Sequence, residues 1–270
     1  MSYKETTAIF KNGEKVLTKL ELITRRAREN PKIKFTSLYH HLNEGFLLEC
    51  FWELKKGKAP GIDGVTVREY EVRLEERLKD LVERRKKKKY KPQPVKRVYI
   101  PKDEKSKRPL GLPIVEDKIV QMGVKKILEA IYEQDFVDVS YGFRPNKSCH
   151  EALEVVDKTI MTRPVNCVVD MDIEKFFDSV NHEKMMECLR QRIADPNFLR
   201  LISMFLKAGV IEEGIYRETE EGTPQGGVIS PVLANIYLHH ALDLWFEDEI
   251  KPQLNGFAGL TRYADDFIVC

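Results

Sequence analysis

The chain has 270 residues, 33% charged and 42% hydrophobic, enough to bury the core of one large domain or two intimate ones. Its formal net charge of +2 conceals a basic segment, since residues 84–108 hold 13 Lys or Arg against 2 acids, which suits a polyanion partner. Five scattered cysteines without a CxxC pair argue for reduced thiols rather than a disulfide frame or zinc site, the first residues lack the apolar core of a signal peptide, and no apolar run approaches membrane-spanning length.

Residues 1–30 are polar, with a helical stretch around 16–28, and read as an appended segment reaching residue 35. Leu42, Phe46, Leu47, Cys50 and Leu54 predict a helix over 38–55, ended by Pro60-Gly61 and Asp63-Gly64. Val67, Tyr70, Leu74, Leu78 and Leu81 predict a second amphipathic helix that runs into residues 84–89. Pro92 and Pro94 then open extended chain over 95–100, and residues 108–113 read as rigid punctuation before a helix over 115–132. A loop at 141–145 precedes a helix through residue 160, with Ser148 and Glu151 spaced as a capping box. Residues 165–172 read as a strand, and 182–192, 196–207 and 231–250 as helices. Between the last two, residues 210–219 read as a hairpin turning near Glu213-Gly214. Helices and short strands alternate without a βαβ rhythm, so the predicted class is α+β. His150 reads as a surface helix residue and His182 as part of a helix entry, while His239 and His240 adjoin on a helix and point in different directions, poor geometry for a shared metal. Trp245 and Phe246 read as core.

Two acidic clusters stand out, Asp170-Met171-Asp172 and Asp265-Asp266. Each alone reads better as turn or surface acids, and only together do they favour a site. A strand puts Asp170 and Asp172 on one face, with Asp172 at its end, where it can reach a cleft. Joined with Asp265 and Asp266 it completes three oxygen-donor carboxylates suited to hard divalent ions, Mg²⁺ foremost. Two such ions roughly 3.5–4 Å apart serve phosphoryl transfer. Residues 222–231 read as an ordinary Gly/Pro connection or as a loop whose glycines let the backbone approach a ligand, with Gln225 as its polar side chain. Lys102 and Arg108 flank a charged turn from which both can reach a triphosphate. Residues 84–91 suit a nucleic-acid backbone, although Lys86–Lys89 read equally as a solvated helix face.

Seven motifs occur in a fixed order: KAPGIDGV (58–65), YKPQPVKRVYIPK (90–102), RPLGLP (108–113), YGFRP (141–145), VVDMDIEKFFDSV (168–180), EGTPQGGVISPVLANIYL (221–238) and RYADD (262–266). From about Lys34 to its last residue the chain resembles the reverse transcriptase/maturase proteins encoded by bacterial group II introns.

The resemblance implies the fingers and palm of a right-hand polymerase, with an antiparallel palm sheet packed on helices and the thumb absent from this chain. An N-terminal extension and fingers would fill 36–164 and a palm 165–270. It implies metal binding by Asp172, Asp265, Asp266 and the Ile173 backbone carbonyl. It implies dNTP contacts by Lys102, Arg108, Gln225, Ile173 and Phe177, the last rejecting a 2′-hydroxyl. Nucleic-acid contacts fall on Lys58, Arg84, Arg85, Lys86, Lys87, Arg97 and Arg144, the last also supporting the site from the fingers. Glu174 and Asp178 would be nearby acids outside the metal set, and Asp170 would sit one strand pair back. The implied activity is RNA-directed DNA polymerisation with two Mg²⁺ ions, Mn²⁺ being a substitute. The implied partners are a group II intron RNA template, a DNA or RNA primer and dNTP, in the bacterial cytoplasm and without a membrane. Two alternatives are a non-catalytic splicing cofactor that binds intron RNA, and a reverse transcriptase of the diversity-generating or CRISPR-associated lineages.

Overall fold

A computed structural model describes residues 19–101, 107–223 and 226–270. The described chain enters on α1 (residues 19–29), which packs on the body, and the remainder of the expected appended helix lies outside the described residues. Ile23 and Ala27 join the main core, and Phe35 forms a backbone bridge with Ile193. A 3₁₀ turn at Tyr39–His41 precedes α2 (Glu44–Trp52), so the helix expected over 38–55 is split. Asn43 is the cause, since its side chain accepts from the Phe46 amide at 3.2 Å and restarts the helix. The apolar stripe from Val67 to Leu81 is buried as expected but divided between α3 (Val67–Glu71) and α4 (Leu74–Lys86).

Strands β1 (Val95–Pro101) and β2 (Lys107–Leu112) pair as an antiparallel hairpin, which corrects the reading of 108–113 as mere punctuation. Helix α5 (Val115–Tyr132) follows as expected, with Ile119, Val120, Val124, Ile127, Leu128 and Ile131 wholly buried. It packs on α2 at Gly123, where a Cβ would stand 3.4 Å from Phe46 Cε1 of that helix and 2.6 Å from Cδ2 of Leu42 just before it. Near its start, buried Asp117 accepts from the Gln93 amide and the Tyr90 hydroxyl, and burial pushes its carboxyl up to about 7. Ser148 caps α6 (Cys149–Thr162), its hydroxyl accepting from the Glu151 amide at 3.2 Å.

Strand β3 (Val169–Asp172) is shorter than the expected 165–172. A short α7 (Phe176–Ser179) leads to α8 (His182–Arg190) and α9 (Pro196–Leu206). Asp195 caps α9, and its second oxygen accepts from the Leu38 and Tyr39 amides at 2.7 and 2.8 Å, fastening the segment before α2 to this helix. The predicted hairpin is β4 (Val210–Glu212) and β5 (Ile215–Arg217), turning through Glu213 at φ 51° and Gly214 at φ 81°. Helix α10 (Ser230–Leu238) continues in wider π-type turns over His239–Asp243 and Trp245–Ile250. Those turns change which side chains face inward: Phe246 is buried, but Trp245 is exposed, contrary to its reading as core. Strands β6 (Leu260–Tyr263) and β7 (Asp266–Val269) close the described chain.

Two sheets result, one mixed in the order β2-β1-β4-β5 and one antiparallel in the order β3-β7-β6, giving an α+β fold. As the outer strand of its sheet, β2 tolerates Pro109. One hydrophobic cluster runs from Ile23 to Leu238, across the expected boundary at 164/165, and a small one gathers Phe246, Ala258 and Leu260. Among the described residues no helix is long and apolar enough to cross a membrane.

Candidate active site

The register of the antiparallel sheet sorts its side chains by face. Asp172 stands directly opposite Asp266, and Asp266 is flanked on its other side by Tyr263. Asp170 lies one same-face step back, opposite Ile268. Directly opposed residues have Cβ atoms about 4.5–5.5 Å apart, and like charges so placed repel. Both carboxylates are exposed at the end of the sheet, which leaves room for a cation between them. Asp265 sits in the turn, half-buried, next to Ala264 at φ 60°.

Among the described residues no three His, Cys, Asp or Glu side chains form a ready-made metal cluster. The pair nevertheless fits a hard ion that takes its remaining ligands from water and substrate phosphates. The Ile173 carbonyl accepts from the Phe176 amide at 3.2 Å, and its second lone pair is what a ligand role would use.

The opposite face carries Met171, Phe267 and Arg262, and sequence reasoning missed what Arg262 does there. Its side chain is wholly buried and forms a bidentate pair with equally buried Asp243, both bonds 2.6 Å. Strand periodicity held the signal: in RYADD, Arg262 falls one residue out of phase with Tyr263, hence on the inward face, where a charge needs a buried partner. The YGFRP loop lies against the same strand. The Tyr141 amide donates to the Arg262 carbonyl at 2.9 Å, and the Arg262 amide to the Val139 carbonyl at 2.7 Å. Arg144, placed with the nucleic-acid contacts, is turned inward instead. It donates to Glu133 at 3.1 Å and to the Val137 and Ser140 carbonyls at 3.0 and 2.8 Å, so it supports this loop.

His239 is buried beside this assembly, edge-on to Phe136. Burial, with His240, Arg262 and Arg144 nearby, lowers its pKa from 6.5 to about 3. The unfolded chain therefore binds the extra proton first, and stability falls as pH drops from about 6.5 toward 3. His41, lowered to about 4 mainly by burial, acts in the same direction. His239→Gln is expected to flatten the dependence of urea-unfolding stability on pH across that window. An unchanged slope would show that His239 does not contribute.

A cleft of about 380 Å³ lies between the mixed sheet and α7, lined by Arg97, Gly111, Phe177, Asp178 and residues 217–223 among others. Gly222 makes the cleft wall close-packed: at φ 83°, a Cβ there would meet the Phe177 carbonyl at 2.8 Å. The Thr223 amide donates to that carbonyl at 2.7 Å, and His182 Nε2 lies 2.7 Å from the Gly222 carbonyl. His182 is thus a buried fastener of this loop, not a mere helix entry. Farther along, a Cβ on Gly226 would stand 2.9 Å from the Gly111 carbonyl of β2, so the loop spans from Phe177 to that strand. Arg108 is exposed on β2 opposite Ile100. Lys102 and Gln225 lie outside the described residues.

The basic segment divides by burial. Lys58, Lys86 and Lys87 are exposed, with Lys87 paired to Glu83. Arg84 is bound to Asp80 and Glu116, both at 2.6 Å. Arg85 is buried, donating to the Leu42 and Tyr39 carbonyls with its guanidinium over the Tyr39 ring, so it is removed from the surface a nucleic acid can reach.

Comparison with known proteins agrees with the motif order. Residues 100–270 match the family described as reverse transcriptase (RNA-dependent DNA polymerase). The chain is 40% identical over 222 residues to the group II intron-encoded protein LtrA of Lactococcus lactis subsp. cremoris, covering 82% of this chain and 37% of that protein. It is 36% identical over 247 residues to protein YkfC of Escherichia coli K12, covering 80% of this chain and 64% of that one. It is 29% identical over 137 residues to nuclear intron maturase 4 of Arabidopsis thaliana, covering 50% and 17% respectively. The chain thus spans between about a sixth and two thirds of the length of these relatives. Divalent metals serve the reverse transcriptase family generally. On the family match and the order of its motifs, the chain belongs to the reverse transcriptase family, among the group II intron reverse transcriptase/maturase proteins.

Proposed function

We propose that the chain carries the nucleotidyl-transfer site of an RNA-directed DNA polymerase, in which a primer 3′-hydroxyl attacks the α-phosphate of a dNTP and pyrophosphate leaves. The observation that carries this reading is the Asp172–Asp266 pairing in register, with Asp265 in the adjoining turn. Mg²⁺ ions bound by these carboxylates and the Ile173 carbonyl, or Mn²⁺ in their place, would stabilise charge on the attacking and leaving oxygens.

The chain's other residues position the substrate. Phe177 is half-buried at the cleft wall and pinned through its carbonyl by Thr223, which suits a ring set beneath the sugar. Its bulk then excludes a ribose by clash with the 2′-hydroxyl. Arg97 in the cleft and Arg108 on the outer strand supply cations for phosphates, with Lys102 and Gln225 assigned to the same nucleotide. Palm and fingers are then the antiparallel sheet and the mixed sheet with its helices. Exposed Lys86–Lys89 and Lys58 suit the phosphate backbone of intron RNA, in keeping with a maturase role.

Primer extension on an RNA template, with dNTP and rNTP supplied separately, tests this assignment. Wild type is expected to extend with dNTP, and Phe177→Val to lose roughly 10–200-fold of its discrimination against rNTP, the range for one pocket contact. Unchanged discrimination removes Phe177 from the sugar site, and RNA binding without any extension favours the splicing-cofactor reading.

A further inference from the structure

Ala264 is a non-glycine residue at φ 60°, a backbone conformation that persists only when its surroundings impose it. The two-residue turn between paired Tyr263 and Asp266 calls for it, and Arg262, fully buried two residues earlier, braces it. Arg262 Nη1 donates to the Ala264 carbonyl at 2.9 Å and to Asn235 Oδ1 at 3.1 Å, while Nε and Nη2 hold Asp243. Asn235, itself buried, donates from Nδ2 to the Gly142 carbonyl at 2.8 Å. Four guanidinium bonds therefore reach three elements: the body of α10, its π-type continuation, and the turn that carries Asp265 and Asp266. Asn235 adds the loop at 141–145. Neither Asn235 nor Asp243 lies on the face of the sheet that carries the carboxylates.

We propose that Asn235 and Asp243 are positioning residues: by fixing the Arg262 guanidinium they set the Ala264 carbonyl, and with it the placement of Asp265 and Asp266 relative to Asp172. A simple core ion pair would need only the Asp243 arm. The Asn235 and Ala264 arms are the additional observation, because they direct the same cation at the strained turn. The inference rests on the polymerase reading for its consequence, though not for its geometry.

Asn235→Leu tests it, because the change keeps side-chain volume and leaves the Arg262–Asp243 pair charged and matched. Three quantities are measured on the full chain: thermal unfolding, Mn²⁺ affinity by loss of the free-ion EPR signal, and incorporation kinetics over a Mg²⁺ series. The expected result is a folded protein with Mn²⁺ affinity and kcat each lowered about 10–100-fold, the range for groups that orient metal ligands, and little change in KM for dNTP. Adding Ala264→Gly, which adopts the turn without strain, should restore part of both losses. Wild-type Mn²⁺ affinity and kcat in folded Asn235→Leu overturn the proposal. If Asn235→Leu does not fold, Arg262→Lys is read the same way, and failure of both to fold also overturns it by making the network purely structural. If the wild type binds Mn²⁺ but incorporates no nucleotide, the polymerase reading fails while Mn²⁺ affinity still decides the positioning role.

Discussion

Asp172→Asn is expected to lower RNA-templated incorporation by about 10³-fold, corresponding to roughly 4 kcal/mol of lost transition-state stabilisation. The substitution preserves shape and removes one negative charge from an exposed position directly opposite Asp266. Relief of that cross-strand repulsion should leave stability unchanged or higher by about 0.2–1 kcal/mol. Activity and stability thus move in opposite directions, which a general loss of folding cannot imitate. Asp170→Asn, one step along the same face and opposite Ile268, is the matched control and should stay near the wild-type rate. Wild-type incorporation by Asp172→Asn would sink the metal-site assignment, and equal losses at both positions would reduce the effect to net charge.

Gly142→Ala is expected to be the most damaging change among the small residues around the site. A Cβ at that position would stand 2.2 Å from the Ala264 amide nitrogen and 2.9 Å from the Tyr263 carbonyl carbon. Both are backbone atoms, so no rotamer change relieves the clash, and either the loop or the catalytic turn must move. Overpacking of this kind costs about 3 kcal/mol, a fall in Tm of roughly 6–12 °C. Because the displaced element is the turn beside Asp265, incorporation should fall further than the loss of folded protein explains. A Tm within a degree of wild type together with full activity would show that the contact yields freely.

The sequence was most legible where local chemistry decides the outcome. Ser148 before Glu151, Glu213-Gly214 between β-formers, and the unbroken apolar pattern of α5 each specify their element without tertiary help. Tertiary context decided the rest. Pro109 and Gly111 look like breakers until β2 is seen to be an outer strand. Asn43 is one polar residue within an apolar pattern, and only its bond to the Phe46 amide shows that the helix restarts there. Charge density alone puts Arg85 in a surface patch because it ignores direction. Its spacing of four from Leu81 and seven from Leu78 already placed it on the buried stripe. The pairing of Asp172 with Asp266 spans 94 positions and came from the order of motifs, since no local periodicity reports a contact at that separation.

The order β3-β7-β6 leaves the outer side of β3 without a neighbouring strand among the described residues, and Val168 and Val169 are exposed there. An open row of peptide groups beside apolar side chains is a template for intermolecular pairing. For anyone handling the isolated chain, the strand that supplies Asp172 is also the surface from which it would self-associate.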